Sequence, residues 1–310
     1  MSKLVIFGAT GQQGRSILET VRDDPTLSKQ YSIRAITRDV TSKAAKEIAN
    51  RGIETVQADI DDPASLPRAL AQAHTVILIT NTIYDAELKS REYRQTKNVG
   101  DAAVVAGARH IIFSTAVHAS KLWNGQAMDV FDSKAEAEAY LHTLPIHVSS
   151  FAPGMFMQNL TTMMAPRLGP DGTYSIAGVL DPDTKVPLID TVNDSGTYVA
   201  ALLRDGESVW GFTLYAATGL YSFSEIAKII SAASGKVVRY VRVPDDVYAG
   251  FMKSNQGGRT VGMMRFFEEV GYFGPGTGEL VEKTRSMVKG RLTTFEEFAK
   301  KYMNDLGICT

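Results

Sequence analysis

The sequence predicts an α/β fold, a doubly wound parallel sheet with a smaller α/β lobe at the carboxyl end of the chain. Two observations carry this prediction. Short apolar runs alternate with amphipathic segments through the first half of the 310 residues, and a glycine-rich turn directly follows the first run. Apolar runs without alternation suit strands that are buried on both faces, and the segments between them have the length of crossover helices. This order is typical of a Rossmann-type fold.

Six parallel strands and five helices are predicted in residues 1–152. The strands are expected at 4–7, 33–37, 55–57, 76–80, 111–114 and 148–151. The helices are expected at 12–22, 42–51, 64–71, 88–106 and 129–143, where apolar residues recur with helical spacing. Regular alternation of strands and helices predicts a parallel sheet with helices on both faces.

The pattern changes after residue 152, which gives the predicted boundary between a first domain, 1–152, and a second lobe, 153–310. Glycine- and proline-containing turns such as 168–172 interrupt the second lobe, and we expect its elements to intermix in part with those of the first domain. Ser222 with Glu225, and Thr293 with Glu296, have the spacing of capping boxes and predict two helix starts. The basic, glycine-rich stretch 253–259 predicts a mobile loop that contacts a ligand, a partner or neither.

The composition excludes several classes of function. The chain has 33 Lys and Arg against 34 Asp and Glu, so no basic field attracts nucleic acid or an anionic membrane. No apolar stretch approaches the roughly 18 to 20 residues of a membrane-spanning helix, and the first residues lack a secretory apolar region. Cys309 is the only cysteine, which favours a reducing compartment. We expect a cytoplasmic location, with the nucleus as a further one, and no metal site, because the histidines lack zinc-ligand spacing.

The glycine-rich turn predicts a dinucleotide site. Its sequence is Gly8-Ala9-Thr10-Gly11-Gln12-Gln13-Gly14, which has the spacing G-x-x-G-x-x-G between a strand and a helix. Gly8 permits the tight turn, Gly11 lets the backbone approach a pyrophosphate, and Gly14 lets the helix pack closely. The helix then directs its free N–H groups at the phosphates.

The residues after the second and third strands predict which dinucleotide binds. Arg38 follows the second strand, where a guanidinium makes paired contacts with a 2′-phosphate, and Lys43 is near it in sequence. NAD-specific folds place an acidic residue there, so the sequence favours NADP(H), with Asp39 binding the ribose as the alternative. Asp59 and Ile60 follow the third strand; Asp59 either meets the adenine edge or caps the next helix.

Several segments together resemble one family. They are 8–14, 38, 57–62, 78–81, 113–115, 131–134 and 153–159. With them the chain resembles the NmrA-like family, atypical relatives of the short-chain dehydrogenases, over most of its length. That family includes a fungal repressor of nitrogen metabolism and redox-sensing regulators, and related members are NADPH-dependent reductases. The resemblance implies that Thr80 and Asn81 line the cofactor, that Lys134 reaches the nicotinamide ribose, and that Pro153, Met155 and Phe156 lie along the nicotinamide.

The sequence lacks one part of the usual catalytic machinery. Short-chain dehydrogenases supply a proton from a tyrosine four residues before a lysine, but Val130 stands four residues before Lys134. The candidate acids are Lys134, as in the isoflavone reductase-like branch, and His118 after the fifth strand. The alternatives are a lysine that only anchors ribose and a solvated histidine. Ser114 and Thr115 end the fifth strand, where either polarises a substrate oxygen or caps the strand end. Thr115 is also expected to contact the cofactor.

Two functions follow from these features. The missing tyrosine favours a redox-sensing regulator, in which the state of bound NADP(H) alters an interaction with a protein partner. Its two redox forms must then favour different conformations, since equal affinities shift nothing. The intact nicotinamide pocket favours the alternative, an NADPH-dependent reductase of a small carbonyl, enone, imine or quinone substrate.

Overall fold

A seven-stranded parallel sheet lies at the centre of the molecule. The computed structural model describes residues 1–252 and 256–304, so Cys309 and residues 253–255 of the predicted loop lie outside the described residues. The strands are β1 (Ser2–Ile6), β2 (Tyr31–Thr37), β3 (Glu54–Gln57), β4 (Ala73–Leu78), β5 (His110–Ser114), β6 (His147–Pro153), β7 (Met155–Phe156), β8 (Arg167–Leu168), β9 (Tyr174–Gly178), β10 (Lys185–Ile189), β11 (Thr213–Ala216), β12 (Gly219–Ser222) and β13 (Val238–Arg242).

The helices fall between these strands and at the end of the chain. They are α1 (Gln12–Asp23), α2 (Leu27–Gln30), α3 (Lys43–Asn50), α4 (Leu66–Leu70), α5 (Leu88–Val105), α6 (Ala119–Leu122), α7 (Asp129–Leu141), α8 (Ser195–Arg204), α9 (Phe223–Ser234), α10 (Asp245–Gly250), α11 (Gly257–Glu269), α12 (Thr277–Met287) and α13 (Phe295–Tyr302). None of the described helices is both long and apolar enough to cross a bilayer.

The central sheet confirms the predicted fold class and adds one strand to it. Its order is β11-β6-β5-β4-β1-β2-β3, with all neighbours parallel. The six strands predicted in residues 1–152 are confirmed as β1 to β6. The seventh strand, β11, was not predicted; it pairs with β6 from beyond residue 152. This four-residue strand is separated from β6 by about sixty residues, so its local pattern does not indicate its partner.

Alternate residues of the first strand pack against opposite layers of helices. Leu4 and Ile6 lie in a core with residues of α1 and α8, and Val5 and Phe7 lie in a core with residues of α4, α5 and α7. This period of two is expected for a strand buried on both faces. The layering leaves the carboxyl ends of the strands facing the second lobe, the edge where ligands bind in doubly wound sheets.

The second lobe adds two small sheets and its own core. The sheets have the orders β12-β10-β7 and β13-β9-β8, and α9, α11 and α13 contribute to an apolar core with Phe131 and Trp123 of the first domain. The Ser222 and Glu225 capping box is confirmed at α9. The second box was wrong by one residue: Thr294 and Glu297 form it, while the Thr293 N–H and hydroxyl donate to Asp194.

Two other predicted boundaries were wrong. β4 covers 73–78 rather than 76–80, so Thr80 lies beyond the strand, where its hydroxyl bonds to Lys134. Residues 257–259 of the predicted loop begin α11. Arg259 there donates to the Asp85 carbonyl at 3.2 Å, which holds the start of this helix against the segment that follows β4.

Candidate functional site

The predicted phosphate loop joins β1 to α1, and two glycines determine its shape. Gly8 has a φ of +76°, in the left-handed region that favours glycine, and its carbonyl accepts the Gly11 N–H at 2.9 Å. Gly14 lies so close to the turn that a Cβ there would be 2.2 Å from the Gly8 carbonyl oxygen. A side chain at residue 14 would therefore displace the loop.

The amino end of α1 is open to a ligand. Gly11 is its N-cap residue and supplies no side-chain cap, whereas Ser42, Ser222 and Thr294 cap their own helices. The first N–H groups of a helix have no partner inside it, and the helix dipole favours an anion there. Thr10, Gln12 and Gln13 lie on the same loop with partly or fully exposed side chains. The loop thus has the donors and the space that a pyrophosphate requires.

Arg38 follows β2, as predicted. Its side chain is exposed, and its guanidinium has no hydrogen-bond or ion-pair partner within the described part of the chain. The carboxylate of Asp39 accepts two hydrogen bonds from Thr41, at 2.6 and 2.7 Å. These bonds lower the Asp39 pKa. Lys43 is the exposed first residue of α3. Two cations are therefore available to an anion at this edge, while Asp39 is engaged in its own turn.

The segment after β3 is fixed by internal hydrogen bonds. Asp59 accepts the Asp61 N–H at 3.0 Å, and the Ile60 carbonyl accepts the Asn98 side chain at 2.9 Å. Asp62, not Asp59, caps the short helical turn that follows, by accepting the Ala64 N–H at 3.1 Å. The capping alternative for Asp59 is therefore wrong, and its contact with adenine stays a prediction.

Lys134 lies in a buried polar cluster at the carboxyl edge of the sheet. Its Nζ donates to Thr80 Oγ1 at 2.9 Å and to Glu92 Oε1 at 3.0 Å. Glu92, on α5, has only 1% of its surface exposed and also accepts from Thr82 and Ser133, each at 2.6 Å. An ammonium has three hydrogens, so one remains for a ligand.

The charge on Glu92 is maintained by its neighbours. Burial raises the pKa of this carboxyl. The Lys134 ammonium and the Ser133 and Thr82 hydroxyls together lower the pKa by more than burial raises it, so the net pKa lies below its usual range. Loss of a proton from Lys134 would leave the buried Glu92 carboxylate without a cation. The arrangement favours Lys134 as a fixed charge and ribose donor over Lys134 as an acid.

The hydroxyls that end β5 are both directed to other side chains. Ser114 Oγ donates to Gln13 Oε1 at 2.8 Å, and Thr115 Oγ1 donates to Glu138 Oε2 at 2.7 Å. Glu138 also accepts from Ser150. Ser114 therefore contacts the phosphate loop, while the Thr115 hydroxyl points towards α7.

His118 contacts a different set of side chains from Lys134. Its Nδ1 is 3.1 Å from Asp132 Oδ1 and 3.2 Å from Ser120 Oγ, and it lines a cavity of about 480 Å³ with Thr115 and Glu138. The two candidate acids are therefore held in separate polar clusters. Across residues 1–252 and 256–304, no group of His, Cys, Asp and Glu side chains has the arrangement of a metal site.

The predicted nicotinamide segment follows β6. Pro153 ends that strand, and Met155 and Phe156 pair with Leu188 and Ile189 of β10. Met155 is buried in the core of the second lobe, and Phe156 is half-buried. The backbone of this segment is thus held by the lobe. Asn81 is exposed just beyond Thr80.

Sequence reasoning missed three residues of this site. Glu92 had a signal, because it occupies the buried stripe of α5 together with Leu88 and Val99, and a charge there needs a partner. Gln158 lies in the segment 153–159 that carries the resemblance, but no role was assigned to it, and Thr191 had no signal. The Thr191 hydroxyl lies 3.0 Å from Gln12 Oε1 and 2.8 Å from Gln158 Oε1, so the second lobe contacts the phosphate loop.

Three curated relatives match most of the chain. An NmrA-like family domain-containing protein of Dictyostelium discoideum is 28% identical, with 96% of this chain and 97% of the relative covered. The NmrA-like family domain-containing oxidoreductase malD of Malbranchea aurantiaca is 27% identical, with 77% and 75% covered. The NAD(P)H azoreductase of Xenophilus azovorans is 27% identical, with 77% of each chain covered.

Solved structures share the fold. The negative transcriptional regulator NmrA superposes with a TM-score of 0.82 at 21% identity, covering 97% of this chain and 95% of that one. NmrA in complex with NADP gives 0.80 at 20% identity, with the same coverage. The triphenylmethane reductase of Citrobacter sp., complexed with NADP(H), gives 0.75 at 22% identity, covering 97% and 100%. The NmrA-like family model matches residues 1–299, and the chain therefore belongs to the NmrA-like family.

Proposed function

We propose that this protein binds NADP(H) and acts as a redox-sensing regulator, through an interaction of its second lobe with a partner protein that depends on the state of the cofactor. The observation that carries the proposal is the hydrogen bond from Thr191 Oγ1 to Gln12 Oε1, at 3.0 Å. Thr191 is fully buried between β10 and α8, and Gln12 begins α1 on the phosphate loop. A dinucleotide on the loop would therefore act directly on the second lobe.

The preference for NADP(H) rests on the open helix end and on Arg38. The uncapped start of α1 suits a pyrophosphate, and the exposed Arg38 suits a 2′-phosphate. The Asp39 carboxylate is engaged with Thr41 and competes less for the ribose. NmrA, which has the same fold, is known in complex with NADP and in complex with NAD, so the exposed Arg38 carries the preference.

The side chains placed to donate a proton are already bonded to other side chains, and this favours regulation over ordinary carbonyl reduction. The hydroxyls of Ser114 and Thr115 are directed to Gln13 and Glu138, and the Lys134 ammonium is paired with the buried Glu92. A carbonyl reductase needs a donor beside the developing alkoxide, whereas a sensor needs only two conformations of different cofactor affinity.

A titration with four nucleotides tests this function. We expect NADP+ and NADPH to bind with dissociation constants that differ at least about tenfold, because a cofactor shifts a conformational equilibrium only by its difference in affinity. NAD+ and NADH are expected to bind more weakly. Equal dissociation constants for NADP+ and NADPH would contradict the sensor.

The second candidate is an NADPH-dependent reductase. Lys134 keeps one hydrogen for the nicotinamide ribose, and several relatives carry the name oxidoreductase or reductase. Bound NADPH supplies a hydride. Because the described donors are engaged, the suitable acceptors are a quinone, an imine or an enone whose product takes its proton from water. Loss of NADPH absorbance with any of these acceptors, abolished in Lys134→Met, would support this candidate against the regulator.

A further inference from the structure

The two adjacent glutamines of the phosphate loop are each held by a hydroxyl from a distant element. Ser114, at the end of β5, donates to Gln13 Oε1 at 2.8 Å. Thr191, between β10 and α8, donates to Gln12 Oε1 at 3.0 Å. Ser114 is 5% exposed and Thr191 is fully buried, so both hydroxyls are fixed by packing.

Thr191 is itself held in a defined orientation. Its N–H and its hydroxyl both lie within hydrogen-bond distance of Gln158 Oε1, at 3.3 and 2.8 Å. A hydroxyl has one hydrogen to donate. Gln158 Oε1 has two lone pairs and accepts from both groups, so the one hydroxyl hydrogen is shared between Gln158 Oε1 at 2.8 Å and Gln12 Oε1 at 3.0 Å. The Gln158 amide is oriented in turn by the fully buried Asp190, to which its Nε2 donates at 2.7 Å.

The orientation of the two carbonyl oxygens determines where the amide hydrogens point. With each Oε1 accepting from a hydroxyl, the NH₂ groups of Gln12 and Gln13 are the free ends of their side chains, and neither donates to any residue that the structure describes. They lie in the first turn of α1, beside the N–H groups that lack a side-chain cap. Four amide hydrogens thus add to the backbone donors at this helix end.

We propose that Ser114 and Thr191 are positioning residues, which direct the amide NH₂ groups of Gln12 and Gln13 at the pyrophosphate of the bound dinucleotide. The inference rests on the proposed binding of NADP(H). It gives Ser114 a role in binding the phosphates in place of the predicted contact with a substrate oxygen. It also makes the second lobe part of the pyrophosphate site, through Thr191.

The test compares two probes that differ in the pyrophosphate. NADP+ carries it, whereas adenosine 2′-monophosphate has the 2′-phosphate and adenine without it. Thr191→Val and Ser114→Ala are each expected to weaken the binding of NADP+ about fivefold, because one neutral hydrogen bond usually contributes that much to affinity. Adenosine 2′-monophosphate is expected to bind within about twofold of wild type. Thr191→Ser keeps the hydroxyl and is expected to restore NADP+ binding.

Each other outcome is decisive. Equal weakening of both probes, or no weakening of NADP+, would overturn the positioning role. Failure of Thr191→Ser to restore NADP+ binding would overturn the positioning role of Thr191. If Thr191→Val does not fold, as judged by circular dichroism, Ser114→Ala carries the test alone. Absence of NADP+ binding in the wild-type protein would instead refute the proposed function.

Discussion

Arg38 is the side chain on which the preference for NADP(H) depends. Arg38→Ala is expected to weaken NADP+ and NADPH about 30-fold, because a charge-assisted contact with the 2′-phosphate contributes on the order of 2 kcal/mol. NAD+ and NADH lack this phosphate and are expected to change less than about threefold. Isothermal titration calorimetry measures all four. Equal losses for the phosphorylated and unphosphorylated cofactors would refute the assignment.

A matched control separates the local contact from a general loss of charge. Arg51 follows α3 and pairs with Glu19 at 2.8 Å. Arg51→Ala removes the same charge from the surface, where such pairs contribute little. It is expected to leave all four dissociation constants within about twofold of the wild-type values.

Glu92 and Lys134 form a buried pair whose members depend on each other. Glu92→Gln and Lys134→Met are each expected to lower the free energy of unfolding by about 3 kcal/mol, because each leaves one charge without its partner. The double variant is expected to lose clearly less than the sum. Urea unfolding of the four proteins measures this cycle, and additive losses would show that the two side chains do not interact.

The packing of α8 on α1 depends on a glycine that the helices share. A Cβ on Gly196 would lie 2.3 Å from the Ser16 carbonyl oxygen and 2.0 Å from Thr20 Oγ1. Backbone cannot move aside as a side chain can, so Gly196→Ala is expected to destabilise the protein by about 3 kcal/mol. Gly262, inside α11, has no atom within 4 Å of its Cβ position. Gly262→Ala is the control and is expected to stabilise by about 0.5 kcal/mol.

Thermal or urea unfolding compares the two glycine variants. The expected result is opposite signs for the same chemical change, since one methyl group meets backbone and the other meets open space. Destabilisation by both variants to a similar extent would contradict the close contact of α1 with α8.

The buried His110, at the amino end of β5, predicts a pH dependence of the protein's stability. His110 is 4% exposed and its Nε2 lies 2.9 Å from Ser149 Oγ. Burial, with smaller contributions from His147 and His74, lowers its pKa to about 4. In the unfolded chain the His110 side chain takes up a proton near pH 6.5, the ordinary histidine pKa. The contribution of neutral His110 to the free energy of unfolding is therefore fully present above about pH 6.5 and is lost as the pH falls towards 4.

Urea unfolding at several pH values between about 7 and 4 measures this contribution. The wild-type protein is expected to lose up to about 3 kcal/mol more than His110→Gln across that range, since a shift of one pKa unit corresponds to about 1.4 kcal/mol. Parallel pH profiles of the two proteins would show that His110 does not titrate in this way.

The sequence predicts elements well where their signals are local, and less well where pairing is distant. Period and turn residues predict β1, the phosphate loop and α1, since all three lie within 23 residues. The local capping spacing predicts α9 correctly, but the two adjacent threonines before α13 make its box ambiguous by one residue. β11 escapes prediction because its hydrogen bonds go to β6.

At the scale of the whole molecule, the second lobe is tied to the first domain by contacts that no local pattern predicts. Thr191 and Gln12 are 179 residues apart in sequence, and the Gly196 N–H donates to Ser16 Oγ at 3.0 Å across 180 residues. The glycine-rich motif predicts that the first domain supplies the dinucleotide site. Which second-lobe residues complete that site emerges only from the packing of α8 on α1.

Hydrogen exchange with NADP+ and with NADPH, each at saturation, tests most directly whether cofactor state reaches the second lobe. Exchange in segments 155–158 and 188–196 is expected to differ between the two complexes, because Gln158 and Thr191 connect those segments to the phosphate loop. Segment 277–287, which forms α12, serves as an internal reference. Identical exchange in all three segments for the two complexes would contradict the proposed sensor.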